Sequence, residues 1–122
     1  MKLNSAERLS YPAKLFGHLF PRLEASIFNT AGQLSPQYNG GYWDMYRLDE
    51  GGFYMALDNA HEVICPNGFR DWLSGDAFGI VVCLYVYSRL SFTNPELGRH
   101  YHLLRTFALD HPESAAIFQA ID

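Results

Sequence analysis

The histidine and cysteine side chains are the first to examine for chemistry, because both can bind metal ions near neutral pH. The chain has five histidines and two cysteines. His100 and His102 are two residues apart, which places them about 200° apart around a helix, so one metal ion cannot bind both. His61 and Cys65 are close in sequence, but no CxxC pair or HExxH motif accompanies them. The sequence therefore predicts no metal site and no cofactor.

Nucleophilic catalysis needs a serine, threonine or cysteine beside a general base. The chain has no GxSxG elbow, and Cys83 lies in its most apolar run, where burial makes a thiol unreactive. Acid–base chemistry by Asp44 and Asp49 with His61 stays open as a hypothesis, although acids next to turns are generally solvated. No catalytic residues are assigned from these patterns.

The two cysteines, Cys65 and Cys83, both lie in apolar runs. We expect buried free thiols in a reducing compartment, the cytoplasm. The amino-terminal residues carry no apolar signal-peptide core, and the longest apolar run, from Phe78 to Tyr87, is too short to span a bilayer. The sequence therefore predicts a cytoplasmic protein without a membrane segment.

The charged residues are scattered along the chain. Thirteen acids and nine bases give a net charge of −4, no acidic run is longer than Asp49-Glu50, and no two bases adjoin. This distribution argues against a basic groove for nucleic acid. An acidic mimic of 12 base pairs of DNA would need on the order of 20 aligned negative charges, so mimicry is excluded as well.

The amino-terminal part of the chain has helical periodicity. Apolar residues recur at four-residue spacing, which predicts helix between about Tyr11 and Leu34. Pro12 and Pro21 are each expected in the first turn of a helix, so Pro21 should divide this zone into a short helix and a longer one.

Three more helices are predicted in the second half of the chain. The segment from Asp76 to Leu90 is too long for a strand, and Ser74 can cap a helix there, which predicts a buried central helix. Further helices are expected to begin at Asn94-Pro95 and near Asp110, His111 and Pro112.

Three strands are predicted between the helical zones, at Tyr42–Leu48, Phe53–Leu57 and Glu62–Cys65. Asp49–Gly52 and Asp58-Asn59 carry turn residues between them. A chain of 122 residues is long enough for one domain with a buried core. We therefore predict an α+β fold in which a small three-stranded antiparallel meander packs with four to five helices.

Aromatic residues are concentrated in the first two predicted strands and the segment before them. Strand alternation sends side chains to both faces, so three interpretations stay open: buried core, contact with a protein partner, or stacking on nucleic-acid bases. The cluster consists of Tyr38, Tyr42, Trp43, Tyr46, Phe53 and Tyr54.

This aromatic cluster is also part of a specific string. The string resembles the signature of the ArdB/KlcA family of antirestriction proteins, and it runs Tyr38-Asn39-Gly40-Gly41-Tyr42-Trp43, then Tyr46, then Gly51-Gly52-Phe53-Tyr54-Met55-Ala56. Three shorter segments are similar to other parts of that family, namely Leu15-Phe16-Gly17, Gly79-Ile80-Val81 and His111-Pro112-Glu113. The resemblance covers the chain from about residue 15 to residue 122.

The resemblance implies a single antirestriction domain over residues 1–122, encoded on bacterial plasmids, other mobile elements or genomic islands. It implies relief of type I restriction–modification of incoming DNA without DNA mimicry. The expected partner is the type I restriction–modification complex or an associated host protein. Strong nucleic-acid binding, a membrane partner and a small-molecule substrate are not expected.

The glycines of the string have a physical interpretation of their own. Asn39-Gly40-Gly41 and Gly51-Gly52 are expected to form turns at opposite ends of one hairpin, and Tyr42 and Trp43 to pair with Phe53 and Tyr54. The hairpin is either a rigid element needed for folding or a face that contacts a partner. The candidate contact residues are Tyr38, Asn39, Gly40, Gly41, Trp43, Asp44, Tyr46, Gly51 and Gly52.

Two other functions stay open as alternatives. One is a small enzyme that modifies a restriction component or DNA through Asp44, Asp49 and His61. The other is a weak DNA-binding module that uses exposed aromatic side chains.

Overall fold

Five α-helices and four β-strands make up the fold in the computed structural model, which describes all 122 residues. The helices are α1 (Ser5–Phe16), α2 (Phe20–Leu34), α3 (Gly75–Leu90), α4 (Glu96–Ala108) and α5 (Ser114–Ile121), and a short 3-10 turn at Gly17–Leu19 joins α1 to α2. The strands are β1 (Asp44–Arg47), β2 (Phe53–Ala56), β3 (His61–Ile64) and β4 (Arg70–Leu73). The predicted α+β class is confirmed.

Helix α1 begins earlier than predicted because of a capping box. The Asn4 side chain accepts a hydrogen bond from the backbone N–H of Glu7 at 2.9 Å, and the Glu7 carboxylate accepts one from the backbone N–H of Asn4 at 3.0 Å. These bonds satisfy N–H groups that a helix start otherwise leaves unpaired. The prediction of a first turn at Pro12 was wrong, since Pro12 lies inside α1. Pro21 does lie in the first turn of α2, as predicted.

Helix α3 forms the centre of the core, as predicted. The Ser74 hydroxyl accepts a hydrogen bond from the backbone N–H of Ala77 at 3.1 Å, which caps the helix. Twelve of its 16 residues are buried, and it packs against α2, α4, α5 and β2. At Gly79 the helix approaches β2 so closely that a Cβ atom would lie 2.3 Å from the carbonyl oxygen of Met55. Glycine is therefore required at this contact.

The strands form two hairpins, so the prediction of one three-stranded meander was wrong. Among the four strands, β1 pairs with β2 and β3 pairs with β4, and both pairs are antiparallel. Pro66-Asn67-Gly68 turns the chain into β4, with Gly68 at φ +93°. Strand β4 was missed because Phe69 and the four residues after it carry no strong strand pattern.

The register of the first hairpin also differs from the prediction. Tyr46 lies opposite Tyr54, and Arg47 lies opposite Phe53. Tyr42 and Trp43 precede β1 and do not pair with β2 residues. Instead, the edge of β1 is bonded to the amino-terminal residues, where the N–H of Leu3 donates to the carbonyl of Met45 at 2.8 Å.

Both cysteines are free and buried, as predicted. Burial raises the pKa of the Cys83 thiol to about 12, and it also raises the pKa of Cys65. Neither thiol is therefore a reactive thiolate at neutral pH. Helix α3 has 16 residues, and no helix of the protein is both long enough and apolar enough to cross a membrane.

Candidate functional site

The Asn39–Tyr42 loop lies immediately before the first hairpin. Gly40 has φ +100° and Gly41 has φ +117°, a region that side chains other than hydrogen strongly disfavour. The predicted shaped turn is therefore present at this end of the hairpin. Because the backbone turns here, Asn39 is exposed and the Tyr42 side chain is 67% exposed.

This loop faces the connection between β2 and β3 across a cleft of about 370 Å³, which we call the Asn39 cleft. Its walls carry the polar side chains of Gln37, Asn39, Asp58 and Asn59. His61 also lines the cleft and is 8% exposed. Its Nδ1 donates to the carbonyl of Asn59 at 2.8 Å, because a carbonyl oxygen can only accept.

Two aromatic residues of the motif, Tyr38 and Trp43, hold the Asn39–Tyr42 loop in position. Trp43 is only 3% exposed, and its Nε1–H donates to the Tyr38 hydroxyl at 3.2 Å. The indole also packs against Phe28 and Phe78, with ring centroids 5.8 and 6.5 Å away. Trp43 was predicted on the contact face, but the structure places it in the core, where it holds the loop in position.

Arg8 of α1 fixes the other side of the loop. One of its Nη atoms donates to the carbonyl of Trp43 at 2.8 Å, and the guanidinium lies 4.6 Å from the centre of the Tyr42 ring. This cation–π contact orients Tyr42 while leaving most of the side chain in solvent. The loop is therefore ordered before any partner binds.

Asp44 and Tyr46, the candidates within β1, are both partly buried. Asp44 forms an ion pair with Lys2 at 3.3 Å, and the hydrogen bond from Lys2 to Asp44 raises the pKa of that lysine. Tyr46 stacks on Tyr54 with ring centroids 4.8 Å apart. Both residues thus make contacts that stabilise the hairpin.

The opposite end of the hairpin is the Gly51-Gly52 turn. Gly51 has φ +93°, and a Cβ on Gly52 would lie 2.8 Å from Cδ1 of Leu48. Strand β1, whose four residues span about 13 Å, separates this turn from the Asn39–Tyr42 loop. The nine candidate residues therefore do not form one continuous exposed face, and only Asn39, Gly40 and Gly41 line the Asn39 cleft.

The residues of the enzymatic hypothesis are not brought together. Asp44 and Asp49 lie at opposite ends of β1, and the His61 ring stacks on Phe78 with centroids 4.9 Å apart. No three His, Cys, Asp or Glu side chains lie close enough to hold a metal ion. These three residues therefore form no acid–base pair with one another.

A polar network that the sequence patterns did not predict connects β2, α3 and the α4–α5 connection. Tyr54 donates to one oxygen of Asp76 at 2.8 Å, and Nε2 of His111 bonds the other oxygen at 2.8 Å. The backbone N–H of Glu113 donates to Nδ1 of His111 at 2.9 Å, so the proton of the neutral ring is on Nε2.

The network continues from Glu113 to the start of α3. One Glu113 oxygen accepts from the backbone N–H of Ser74 at 2.9 Å, and the other accepts from the Ser74 hydroxyl. Burial, together with the bond to Asp76, raises the pKa of Tyr54 well above its usual range. The phenol thus stays protonated and serves as a hydrogen-bond donor.

Sequence signals marked several members of this network but not the contacts between them, since Ser74 was predicted to cap α3 and Tyr54 is part of the signature string. The segment His111-Pro112-Glu113 belonged to the family resemblance, but no spacing pattern linked it to Asp76 or Ser74. Such links depend on tertiary packing, which periodicity does not describe.

The fold and the signature hairpin define a small α+β protein of the antirestriction class. The family model described as antirestriction protein matches residues 36–122, and the chain belongs to this family. The family resemblance predicted from the sequence is confirmed.

Two curated relatives cover nearly the whole chain. Antirestriction protein KlcA of Escherichia coli is 42% identical over 127 aligned positions, which span 96% of this chain and 89% of that protein. Putative antirestriction protein YubI of Escherichia coli (strain K12) is 33% identical over 134 positions, spanning 100% and 94%.

A solved structure confirms the fold. It matches with a TM-score of 0.91 and 42% identity, and the match covers 98% of this chain and 92% of that one. It is described as a structure of the KlcA and ArdB proteins, which show a novel fold and antirestriction activity against type I DNA restriction systems in vivo but not in vitro.

Proposed function

We propose that this protein relieves type I restriction–modification of incoming DNA by binding a protein, without catalysis. The observation that carries the proposal is the match to the KlcA and ArdB structure, at TM-score 0.91 over 98% of this chain. The activity of those proteins in vivo but not in vitro supports a partner that is present in cells. That partner is the type I restriction complex or a host protein associated with it.

The charge distribution supports a mechanism other than DNA mimicry. Three of the thirteen acids are paired with Lys or Arg, which reduces the negative field. A DNA mimic instead needs a regular array of unpaired negative charges. Protein–protein contact needs no such array, because a few well-placed side chains supply most of the binding energy.

The Asn39 cleft is the contact surface that we favour. It combines an exposed tyrosine, Tyr42, with the amides of Asn39 and Asn59 and the carboxylate of Asp58. Tyrosine supplies a large rigid surface that loses little entropy on binding. Because Arg8 and Trp43 already hold the loop, the protein need not reorganise when it binds.

The test is phage plating on cells that carry a type I restriction system, with and without this protein. We expect wild type to raise the plating efficiency and Tyr42→Ala or Asn39→Ala to reduce that relief at least tenfold. Leu9→Ala is the matched control, because Leu9 is 82% exposed and lines none of the clefts described here. Circular dichroism must show that each variant is folded.

The outcomes test the proposed function and the proposed contact surface separately. If wild type relieves no restriction in several type I systems, the proposed function is wrong. If wild type is active and both cleft variants keep full activity, the contact surface is elsewhere. The purified protein is also assayed for hydrolysis of DNA or nucleotides. Hydrolysis that disappears when the protein is unfolded would contradict a non-catalytic mechanism.

A further inference from the structure

Two adjoining concavities lie on a part of the surface that the hairpin motif does not reach. Their volumes are about 430 and 360 Å³, and both are lined by Pro66, Tyr85 and Arg89. The larger one lies between α3, α4, α5 and the β3–β4 turn, and the smaller one lies between α2, α3 and the same turn. We call them together the Arg89 cleft. The cleft shares no lining residue with the Asn39 cleft.

Arg89 is the only charged side chain that lines the Arg89 cleft. None of the ion pairs in the structure includes it. Its Nη2 donates to the hydroxyl of Thr30 at 2.5 Å, and Thr30 is only 2% exposed. This bond holds the guanidinium in place and uses one of its five N–H donors, so the others can bind a ligand.

The walls of the cleft combine apolar and uncharged polar side chains, and hydrogen bonds hold two of them in place. Tyr85 donates its hydroxyl proton to the carbonyl of Ala120 at 2.9 Å, and the Asn67 amide donates to the same carbonyl at 3.2 Å. Phe92 and Ile64, at opposite sides of the cleft, are 87% and 38% exposed. An apolar surface beside a fixed cation is thus available without rearrangement.

We infer that the Arg89 cleft binds an acidic peptide segment of a protein partner, in which a carboxylate adjoins an aromatic or aliphatic side chain. The carboxylate pairs with the Arg89 guanidinium, whose planar fork matches the two carboxylate oxygens. The neighbouring apolar side chain packs between Tyr85 and Phe92. A nucleic acid is disfavoured, because one cation in a chain of net charge −4 releases few counterions.

This site is separate from the contact surface proposed above, and it requires no antirestriction activity for its test. A library of random 12-residue peptides displayed on phage is selected against the immobilised full chain. Enriched peptides are synthesised with fluorescein, and their Kd is measured by fluorescence anisotropy at 150 mM salt. We expect enriched peptides to carry Asp or Glu next to an apolar residue.

Three variants of the chain test the site. Arg89→Gln removes the charge but keeps a side-chain amide near Thr30, and Ser88→Tyr narrows the cleft without changing its charge. Arg22→Gln is the matched control, since Arg22 is exposed on α2 outside the cleft. We expect Arg89→Gln and Ser88→Tyr each to raise Kd tenfold or more, and Arg22→Gln to change it less than twofold.

Other results overturn the inference. These are the absence of enriched peptides, enriched peptides without a carboxylate, or equal binding by the wild type and Arg89→Gln. The inference is also overturned if 20-nucleotide single-stranded DNA or inorganic phosphate competes for the cleft with higher affinity than the peptide. Circular dichroism of all variants checks that binding is lost without loss of folding.

Discussion

His100 is a polar residue placed where the core offers it no partner. It is 3% exposed, and its Nδ1 atom is buried with no hydrogen-bond partner. Its ring packs against Phe16 and Tyr87, with centroids 4.8 and 5.8 Å away. Burial, and secondarily the charge of Arg99, lowers the pKa of His100 below its ordinary value of 6.5. The neutral ring is therefore the form that the folded protein accommodates.

Replacing His100 with Leu should stabilise the protein and reduce its sensitivity to acid. Removing an unpaired buried polar atom is worth about 1 kcal/mol of unfolding free energy at pH 7.5. In wild type, the unfolded chain takes up a proton on His100 more readily than the folded chain. Stability is thus lost as pH falls below 6.5, and this loss is complete below the lowered folded pKa.

Urea denaturation at pH 7.5 and pH 5.5 measures this effect. His102→Leu, at an exposed histidine on the same helix, is the control and should keep the pH dependence of wild type. If His100→Leu lowers stability at pH 7.5, or loses as much stability between the two pH values as wild type does, the account of His100 is wrong.

Helix α3 packs closely on β2, and Gly79 makes this close packing possible. A Cβ atom at Gly79 would lie 2.3 Å from the carbonyl oxygen of Met55 and 2.6 Å from Cα of Ala56. Both neighbours are backbone atoms of a strand, so they cannot rotate away. At Gly98 in α4, by contrast, an added Cβ would meet nothing within 4 Å.

The same substitution should therefore have opposite effects on these two helices. Gly79→Ala forces α3 away from β2, and we expect it to cost about 3 kcal/mol of unfolding free energy. Gly98→Ala should gain about 0.5–1 kcal/mol, because alanine favours helix more than glycine does. Urea midpoints measure both, and equal effects of the two variants would contradict the packing described for α3.

The sequence predicts those elements whose signals are local. Helix α3 was predicted because Ser74 and the long apolar segment after it are enough to define a capped, buried helix. Strand β4 was missed because its pairing with β3 depends on the path of the chain after Pro66. The glycine turn at Gly40 was likewise predicted from residue type, whereas the burial of Trp43 depends on packing by α2 and α3.

The charged side chains of the protein are dispersed along the chain, and several are paired. Lys2, Arg70 and Arg105 each pair with an acid, which reduces the net charge that these side chains present to solvent. The two clefts proposed to bind partners are lined by separate sets of residues. A molecule of this kind can contact two proteins at once without a large charged surface.

Because the charge is dispersed, we expect the protein not to bind duplex DNA. With a net charge of −4 and no two adjacent bases in the sequence, the protein should not retard a 30-base-pair duplex on a native gel at 50 mM salt. A basic DNA-binding protein serves as the positive control. Retardation that disappears steeply as salt rises would contradict this expectation and favour the DNA-binding alternative.

The bond between Ser74 and Glu113 also has a consequence for the newly synthesised chain. The residue that completes the cap of α3 lies 39 positions later in the sequence. At a ribosomal rate of about 5–20 residues per second, roughly 2–8 s separate the synthesis of the two residues. During that interval α3, in which 12 of 16 residues are buried in the folded protein, lacks both its completed cap and the cover of α4 and α5. The nascent chain then exposes an apolar segment of the kind that chaperones protect from aggregation.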